Sequence, residues 1–304
     1  MQNKSKTIAM IGAGIMGSGM AARLLIHGHK VRLYARSPQK LDLLPEEIRT
    51  VVKGKDAEIF DSIRDAVKGA DLVVLCLTED DVVRNAFFES GLLDLRPNYI
   101  IDTGTTSPEL TLEMFAAAKS QGITFLDSPM TGSKLAAQSG QILFMIGGDG
   151  KSIEDLNYFF EACGKNTIHC GPVASAQRAK IALNMIQAGM FQVYIEGFQL
   201  ATKDGISSSV FFDILKQSAA SSPLLEFKLG NVMRKDYKAH FSLKNMNKDR
   251  NHAMQRAKEL KVVLPLSSAL KSVYEEGMEQ GFGEEDFCSL AKVNELLNGN
   301  EIRP

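Results

Sequence analysis

The chain of 304 residues contains no tryptophan and only four cysteines. These cysteines, Cys76, Cys163, Cys170 and Cys288, lie in apolar segments without C-x-x-C or histidine-rich spacing. Such usage excludes a disulfide scaffold and speaks against a zinc site, so reduced thiols, no metal and a cytoplasmic setting are expected. An excess of one charge is also missing, since 35 Lys and Arg stand against 36 Asp and Glu. Polyanions are held largely through surplus basic residues, so neither nucleic acid nor a membrane surface is expected as a partner. No apolar run approaches the roughly 20 residues that cross a bilayer. The opening MQNKSKTIAMIGAG runs into a glycine turn instead of a signal-peptide cleavage site.

What is present divides at about residue 172. Before it, short β-branched runs alternate with amphipathic stretches. Strands are expected at 7–11, 30–34, 72–77, 99–102, 124–126, 142–146 and 167–169. Helices fall between them at 17–27, 62–68, 108–120 and 152–163, several closed by Gly28, Gly69, Gly122 or Gly164. That alternation predicts an α/β domain with a largely parallel sheet over residues 1–172. Beyond Gly171 the strand signal disappears. Residues 173–204 read as one long apolar helix that joins an all-α domain, 173–304, to the first, and four or five shorter helices follow it.

The segment TIAMIGAGIMGSGMAAR carries G-x-G-x-x-G at Gly12, Gly14 and Gly17, directly after a strand and before a helix. In a Rossmann fold the first glycine makes the turn, the second admits a pyrophosphate to the backbone and the third lets helix and strand pack. The helix N-terminus then offers N–H groups and its positive dipole end to the phosphates. At the end of the second strand, where an NAD enzyme places Asp or Glu, the chain has Ala35 followed by Arg36 and Ser37, with Lys40 nearby. An arginine there accommodates a 2′-phosphate, so NADP is expected over NAD; otherwise Arg36 is simply a solvated residue at a strand end.

With these residues in place the sequence resembles the β-hydroxyacid dehydrogenase family through four blocks in order. They are GAGIMGSGMA from Gly12, DTGTTSP from Asp102, DSPMTGSKLAAQSGQI from Asp127, and the pair AKIALN from Ala179 with FSLKNMNKD from Phe241. The third block is similar to the substrate loop of the glyoxylate/succinic semialdehyde reductase branch. The resemblance implies that Lys180 is the catalytic acid/base and that Asn184, one helical turn on, shares its ligand. It places Ala13, Ile15, Met16, Leu77, Thr105 and Lys248 against the cofactor, and Thr131, Gly132, Ser133, Phe241 and Asp249 around the substrate. Read without it, Lys180 is a snorkelling lysine, Asn184 a satisfied core amide, 131–133 a plain turn, Phe241 a core ring, and Lys248 with Asp249 a solvated ion pair.

The implied chemistry is reduction of a small carboxylate-bearing aldehyde by NADPH, the alkoxide being protonated by a lysine ammonium as it forms. Partial desolvation beside a positive charge is what makes a lysine competent in the reverse direction. Hydroxyls and closely spaced N–H groups at 131–133 can hold the carboxylate. Departures from the family pattern gather around the pocket. Gly104 and Thr131 each stand where the family has Ser, Leu183 replaces a second Asn, Ala174 and Ala176 replace two glycines, and Arg250 replaces an apolar residue. They leave open a 3-hydroxyisobutyrate or tartronate semialdehyde type of dehydrogenase, or a non-catalytic NADP-binding module. A 6-phosphogluconate dehydrogenase would have a longer helical domain, and imine reductases generally lack this lysine. The long apolar helix and the family together suggest a homodimer or homotetramer.

Overall fold

A computed structural model describes residues 5–36 and 57–302. These form two compact units, the first ending at Lys180 and the second beginning at Ile181.

Among the described residues the first unit has nine strands: β1 (Thr7–Ile11), β2 (Lys30–Tyr34), β3 (Ala57–Phe60), β4 (Leu72–Leu75), β5 (Tyr99–Asp102), β6 (Thr124–Asp127), β7 (Met130–Thr131), β8 (Ile142–Gly147) and β9 (Gly164–Gly171). The sheet order is β3-β2-β1-β4-β5-β6-β8-β7, with β9 also paired to β8. From β3 to β6 every neighbour is parallel, whereas β6–β8 and β7–β8 are antiparallel. Parallel strands covered on both faces carry continuous apolar runs, and the period of two assigns alternate residues to opposite cores. Ile8, Met10, Leu72, Val74 and Ile101 face one core, while Ala9, Ile11, Val73, Leu75 and Ile100 face the other. Helix Ile15–Ile26 covers the first core with Met20, Ala21, Leu24 and Leu25. Helix Pro108–Ser120 covers the second with Leu110, Met114 and Ala118, one side chain per turn. It starts sharply because Pro108 occupies the first turn and the Ser107 hydroxyl accepts from the Leu110 N–H.

The helix Ser175–Lys203 begins in the first unit and ends in the second. In the second unit Phe191, Ile195 and Phe198 of this helix pack with Leu225, Leu229, Tyr274 and Phe287. Helices Ser208–Gln217, Pro223–Met233, Leu243–Leu260, Pro265–Glu279 and Leu290–Asn298 complete it. The first three are each capped by a serine hydroxyl, from Ser207, Ser222 and Ser242. No helix among the described residues is long and apolar enough to cross a membrane.

The α/β unit followed by a helical unit matches the expected fold class. Two short strands, β3 and β7, lack an apolar run and were not foreseen. The predicted helix 152–163 is two helices, Gly150–Asp155 and Asn157–Cys163, meeting at Leu156. Gly28, Gly69 and Gly122 close their helices with positive φ, but Gly164 is extended because the chain enters β9 at once. Ala174 is the unexpected backbone feature: it precedes the long helix with φ of 71°, a left-handed conformation that strains any residue bearing a Cβ. The family glycine missing at this position is therefore the residue its backbone favours. Ala174→Gly is expected to stabilise the first unit by about 0.5–1 kcal/mol, the relief of strain being partly offset by a more flexible unfolded chain. A denaturant midpoint that is unchanged or lower would contradict this.

Candidate active site

The glycine turn lies at the carboxyl end of β1. Gly12 has φ of 121°, and a Cβ there would sit 2.3 Å from the Cys76 carbonyl oxygen. A Cβ on Gly17 would sit 2.0 Å from the Gly12 carbonyl oxygen. A Cβ on Gly14, by contrast, would meet no atom within 4 Å. Gly12 and Gly17 are thus required by internal packing, whereas Gly14 keeps open the approach to the backbone. Gly14 is also the N-cap of helix Ile15–Ile26 and supplies no side-chain cap, so the first-turn N–H groups are available to an anion. A dinucleotide pyrophosphate fits this cradle. Exposed Ile15 and half-buried Ala13 and Met16 border it, and burial pushes the Cys76 thiol beneath it up to about 11. Arg36 is exposed, two residues beyond the β2 end that pairs with β1. Ser37 and Lys40 lie outside the described residues.

Along the same edge of the sheet, Asp102 and Asp127 end β5 and β6 as register partners, both fully buried. Asp127 accepts from the backbone N–H of Ala174 at 2.7 Å and of Gln177 at 2.9 Å, fastening the start of the long helix to β6. Burial raises the Asp127 carboxyl, and the N–H donors of Gln177 and Ala174 oppose that shift. The Gln177 amide in turn donates to the Gly104 carbonyl at 2.9 Å and accepts from the Thr106 N–H at 3.2 Å. It therefore grips the loop carrying half-buried Thr105 from both sides. Half-buried Leu77 follows β4 beside this loop, and a Cβ on Gly104 would lie 2.3 Å from the Leu77 carbonyl oxygen. The serine that the family carries where this chain has Gly104 has no room with this backbone. Lys180 lies less than one turn beyond Gln177 on the same helix and is 7% exposed. Thr131 ends β7, Gly132 is exposed with φ of 154°, and the Ser133 hydroxyl caps helix Lys134–Ser139 by accepting from the Ala136 N–H.

In the second unit the Asn184 amide donates to Asp249 at 2.5 Å, with both side chains buried. The Lys248 ammonium lies 3.2 Å from the other carboxylate oxygen. Lys248 and Asp249 are thus not a solvated pair, because the carboxylate is sealed off from water. Phe241 is half-buried, its ring centroid 6.4 Å from that of Phe287. Its N–H donates to Asp286, a buried carboxylate that also takes two bonds from the Lys228 ammonium at 2.7 and 2.8 Å. Burial alone would raise the Asp286 carboxyl, but Lys228 and backbone donors outweigh it and hold the group below the ordinary carboxylate value. Gln177, Asp286 and Lys228 were not singled out from the sequence. A polar residue three positions before Lys180 on a mostly apolar helix was the available signal for Gln177.

Fold, glycine turn and sheet-edge constellation define a nicotinamide dinucleotide-binding oxidoreductase. Residues 7–171 match the family model for the NAD-binding domain of 6-phosphogluconate dehydrogenase, and residues 174–294 match that for the NAD-binding of NADP-dependent 3-hydroxyisobutyrate dehydrogenase. The chain is 30% identical to the NAD-dependent L-serine dehydrogenase of Pseudomonas aeruginosa, covering 97% of this chain and 99% of that one. With glyoxylate/succinic semialdehyde reductase 1 of Arabidopsis thaliana it shares 28% identity over 94% of this chain and 97% of the other. The solved Mycobacterium tuberculosis 3-hydroxyisobutyrate dehydrogenase with L-serine superposes with a TM-score of 0.83 at 28% identity, covering 96% of this chain and 99% of that one. The chain belongs to the β-hydroxyacid dehydrogenase family, and it is an NAD(P)-dependent enzyme acting on CH–OH.

Because Asp286 is held below its unfolded value, the stability it contributes is complete above the ordinary carboxylate range and is lost as acid titrates through that range. Asp286→Asn, which leaves Lys228 buried without its partner, is expected to cost about 3–5 kcal/mol at neutral pH. That cost should shrink as the pH falls toward 3, because the unfolded wild-type chain then takes up a proton that the folded carboxylate resists. Denaturant midpoints from pH 3 to 7 check this, and a gap independent of pH would contradict it.

Proposed function

We propose that this enzyme is an NADPH-preferring reductase of a small carboxylate-bearing aldehyde, glyoxylate or succinic semialdehyde being the first candidates, with Lys180 as proton donor. The observation carrying this reading is the placement of Lys180: a buried ammonium on a helix whose first turn is locked by Asp127 and Gln177 to the Thr105 loop. When bound, reduced nicotinamide supplies the hydride. Gly12, Gly14, Gly17 and the helix N-terminus hold its pyrophosphate, Arg36 takes the 2′-phosphate, and Thr105 and Lys248 steady the remaining cofactor contacts. The Thr131 and Ser133 hydroxyls with the Gly132 N–H receive the substrate carboxylate, and in the second unit Phe241 offers the substrate an apolar contact.

Lys180 polarises the carbonyl oxygen and delivers a proton to it; in the oxidative direction its neutral amine removes the proton from the hydroxyl. Asn184 has its N–H engaged by Asp249, which leaves its carbonyl oxygen to accept from a substrate hydroxyl. The second unit serves as the substrate and dimerisation domain. Ile186, Val193 and Leu200, spaced by seven along the long helix, are 54%, 51% and 75% exposed and form an apolar row for a second copy.

A second reading is an NAD-dependent dehydrogenase of 3-hydroxyisobutyrate or L-serine, favoured by the likeness to the Pseudomonas aeruginosa L-serine dehydrogenase and the Mycobacterium tuberculosis 3-hydroxyisobutyrate dehydrogenase. A panel of these acids and aldehydes assayed with NADPH and NADH in parallel separates the two. Lys180→Ala is expected to lower kcat by about 10²–10⁴-fold with cofactor affinity retained, and Arg36→Ala to weaken NADPH while sparing NADH. Undiminished turnover by Lys180→Ala removes the acid/base assignment, and a wild-type preference for NADH removes that of Arg36.

A further inference from the structure

The glycine turn and residues 131–133 each lead into a helix of the first unit, and those two helices touch. β7 pairs antiparallel with β8, which is itself antiparallel to β6, so β7 runs with β6 and β1 and ends at the same edge of the sheet. Helix Ile15–Ile26 leaves that edge after β1, and helix Lys134–Ser139 leaves it after β7. They run in the same direction. Gly19 of the longer helix is buried against Ala137 of the shorter one. A Cβ on Gly19 would sit 2.8 Å from the Ala137 Cβ, 3.0 Å from the Ala137 carbonyl carbon and 3.2 Å from the Gln138 nitrogen. Further along both helices, a Cβ on Gly140 would sit 2.9 Å from Nε of Arg23, which donates to the Ala162 carbonyl at 3.3 Å. One turn back from the Gly19–Ala137 contact, Ile15 at the pyrophosphate cradle comes level with Ser133 of the substrate loop.

Residues 131–133 move with their helix. The Ser133 hydroxyl accepts from the Ala136 N–H, and the Ser133 carbonyl accepts from the Ala137 N–H. Of helix Lys134–Ser139 only Ala137 is buried, whereas helix Ile15–Ile26 sinks Met20, Ala21, Leu24 and Leu25 into the first core. A thicker contact therefore pushes the shorter helix outward and leaves the cradle in place. The shorter helix has to shift as a body, because the atoms facing Gly19 are a Cβ and backbone and not the end of a flexible side chain.

We infer that Gly19 is a specificity-determining residue: it lets the two helices meet with no Cβ between them, and so sets the gap between the carboxylate seat at 131–133 and the cofactor cradle. That gap selects the length of aldehyde whose carbonyl reaches the nicotinamide. The inference rests on the reading that 131–133 receives the substrate carboxylate. A seat displaced outward with its own geometry intact still binds a carboxylate, yet it holds a short substrate back from the reacting position, where an error of about 1 Å can cost about 10²-fold in rate. Added methylenes make up the lost reach.

The test compares glyoxylate, whose carboxylate is bonded to the carbonyl carbon, with succinic semialdehyde, which is two methylenes longer. With the preferred cofactor saturating, kcat/KM for each is measured for the wild type, Gly19→Ala, Ala137→Val and the double variant Gly19→Ala with Ala137→Gly, and cofactor dissociation constants are measured alongside. The ratio of the two kcat/KM values does not depend on how much of a preparation is folded, so lost stability alone leaves it unmoved. Gly19→Ala is expected to shift the ratio about tenfold toward succinic semialdehyde, with cofactor affinity within about twofold of the wild type. Ala137→Val, which thickens the contact from the other helix, should shift it the same way and decides the matter if Gly19→Ala does not fold. The double variant, relieved of the closest clash, should recover part of the wild-type ratio. An unchanged ratio in a folded single variant, or one that moves toward glyoxylate, overturns the inference. Thr131→Ala separates this outcome from failure of the underlying reading. A raised KM for both aldehydes in Thr131→Ala beside an unmoved ratio in Gly19→Ala removes the inference alone. An unchanged KM in Thr131→Ala, or a wild type that reduces neither aldehyde with either cofactor, removes the reading and the inference with it.

Discussion

The first unit depends on one buried carboxylate. Asp127 ends β6, is wholly removed from water, and spends both oxygens on the backbone N–H groups of Ala174 and Gln177. A helix N-terminus welcomes negative charge, so the desolvation of Asp127, which still prevails, is partly opposed by the N–H donors where the dipole is most positive. Space for it comes from Gly147, where a Cβ would lie 2.2 Å from an Asp127 oxygen. That clamp fixes where the long helix starts, and Gln177 then passes the constraint to the Gly104–Thr106 loop. The backbone at Ala174 is bent into a left-handed conformation to reach the clamp. Positional accuracy of Lys180, less than one turn later, follows from these contacts rather than from the lysine itself.

The second unit repeats this strategy with a different chemistry. Asp286 gathers the Lys228 ammonium and the N–H groups of His240, Phe241 and Cys288, and so ties the start of the segment leading to Lys248 and Asp249 to the helical core. Asp249 is likewise buried, between Asn184 and Lys248. Each half of the enzyme thus holds its polar residues through a carboxylate sealed from solvent, where unpaired groups would be most expensive.

Much of this was legible in the sequence, for physical reasons. The two-faced burial of β1, β4 and β5 demands continuous apolar runs, and Gly12, Gly14 and Gly17 mark a turn that side chains would block. The change from alternating strands to helices near Gly171 was visible in the loss of β-branched runs. Short edge strands escaped notice because β3 and β7 make few buried contacts and carry no pattern. The break at Leu156 escaped because no glycine or proline stands between residues 151 and 163 to mark it. Gln177 and Asp286 were missed because their importance lies in partners distant in sequence, 71 positions away for Gln177 with Thr106 and 58 for Asp286 with Lys228. Family resemblance pointed to Lys180 and Asn184, while composition alone leaves both as ordinary side chains of an apolar helix.

The central proposal, that the Lys180 amine carries the proton, is tested most directly by chemical rescue. Lys180→Ala saturated with NADPH and aldehyde should regain turnover in proportion to added methylammonium, and across a series of small primary amines the recovered rate should follow the acidity of the ammonium ion. A variant that binds cofactor and substrate normally yet is indifferent to every amine of matching size would contradict it.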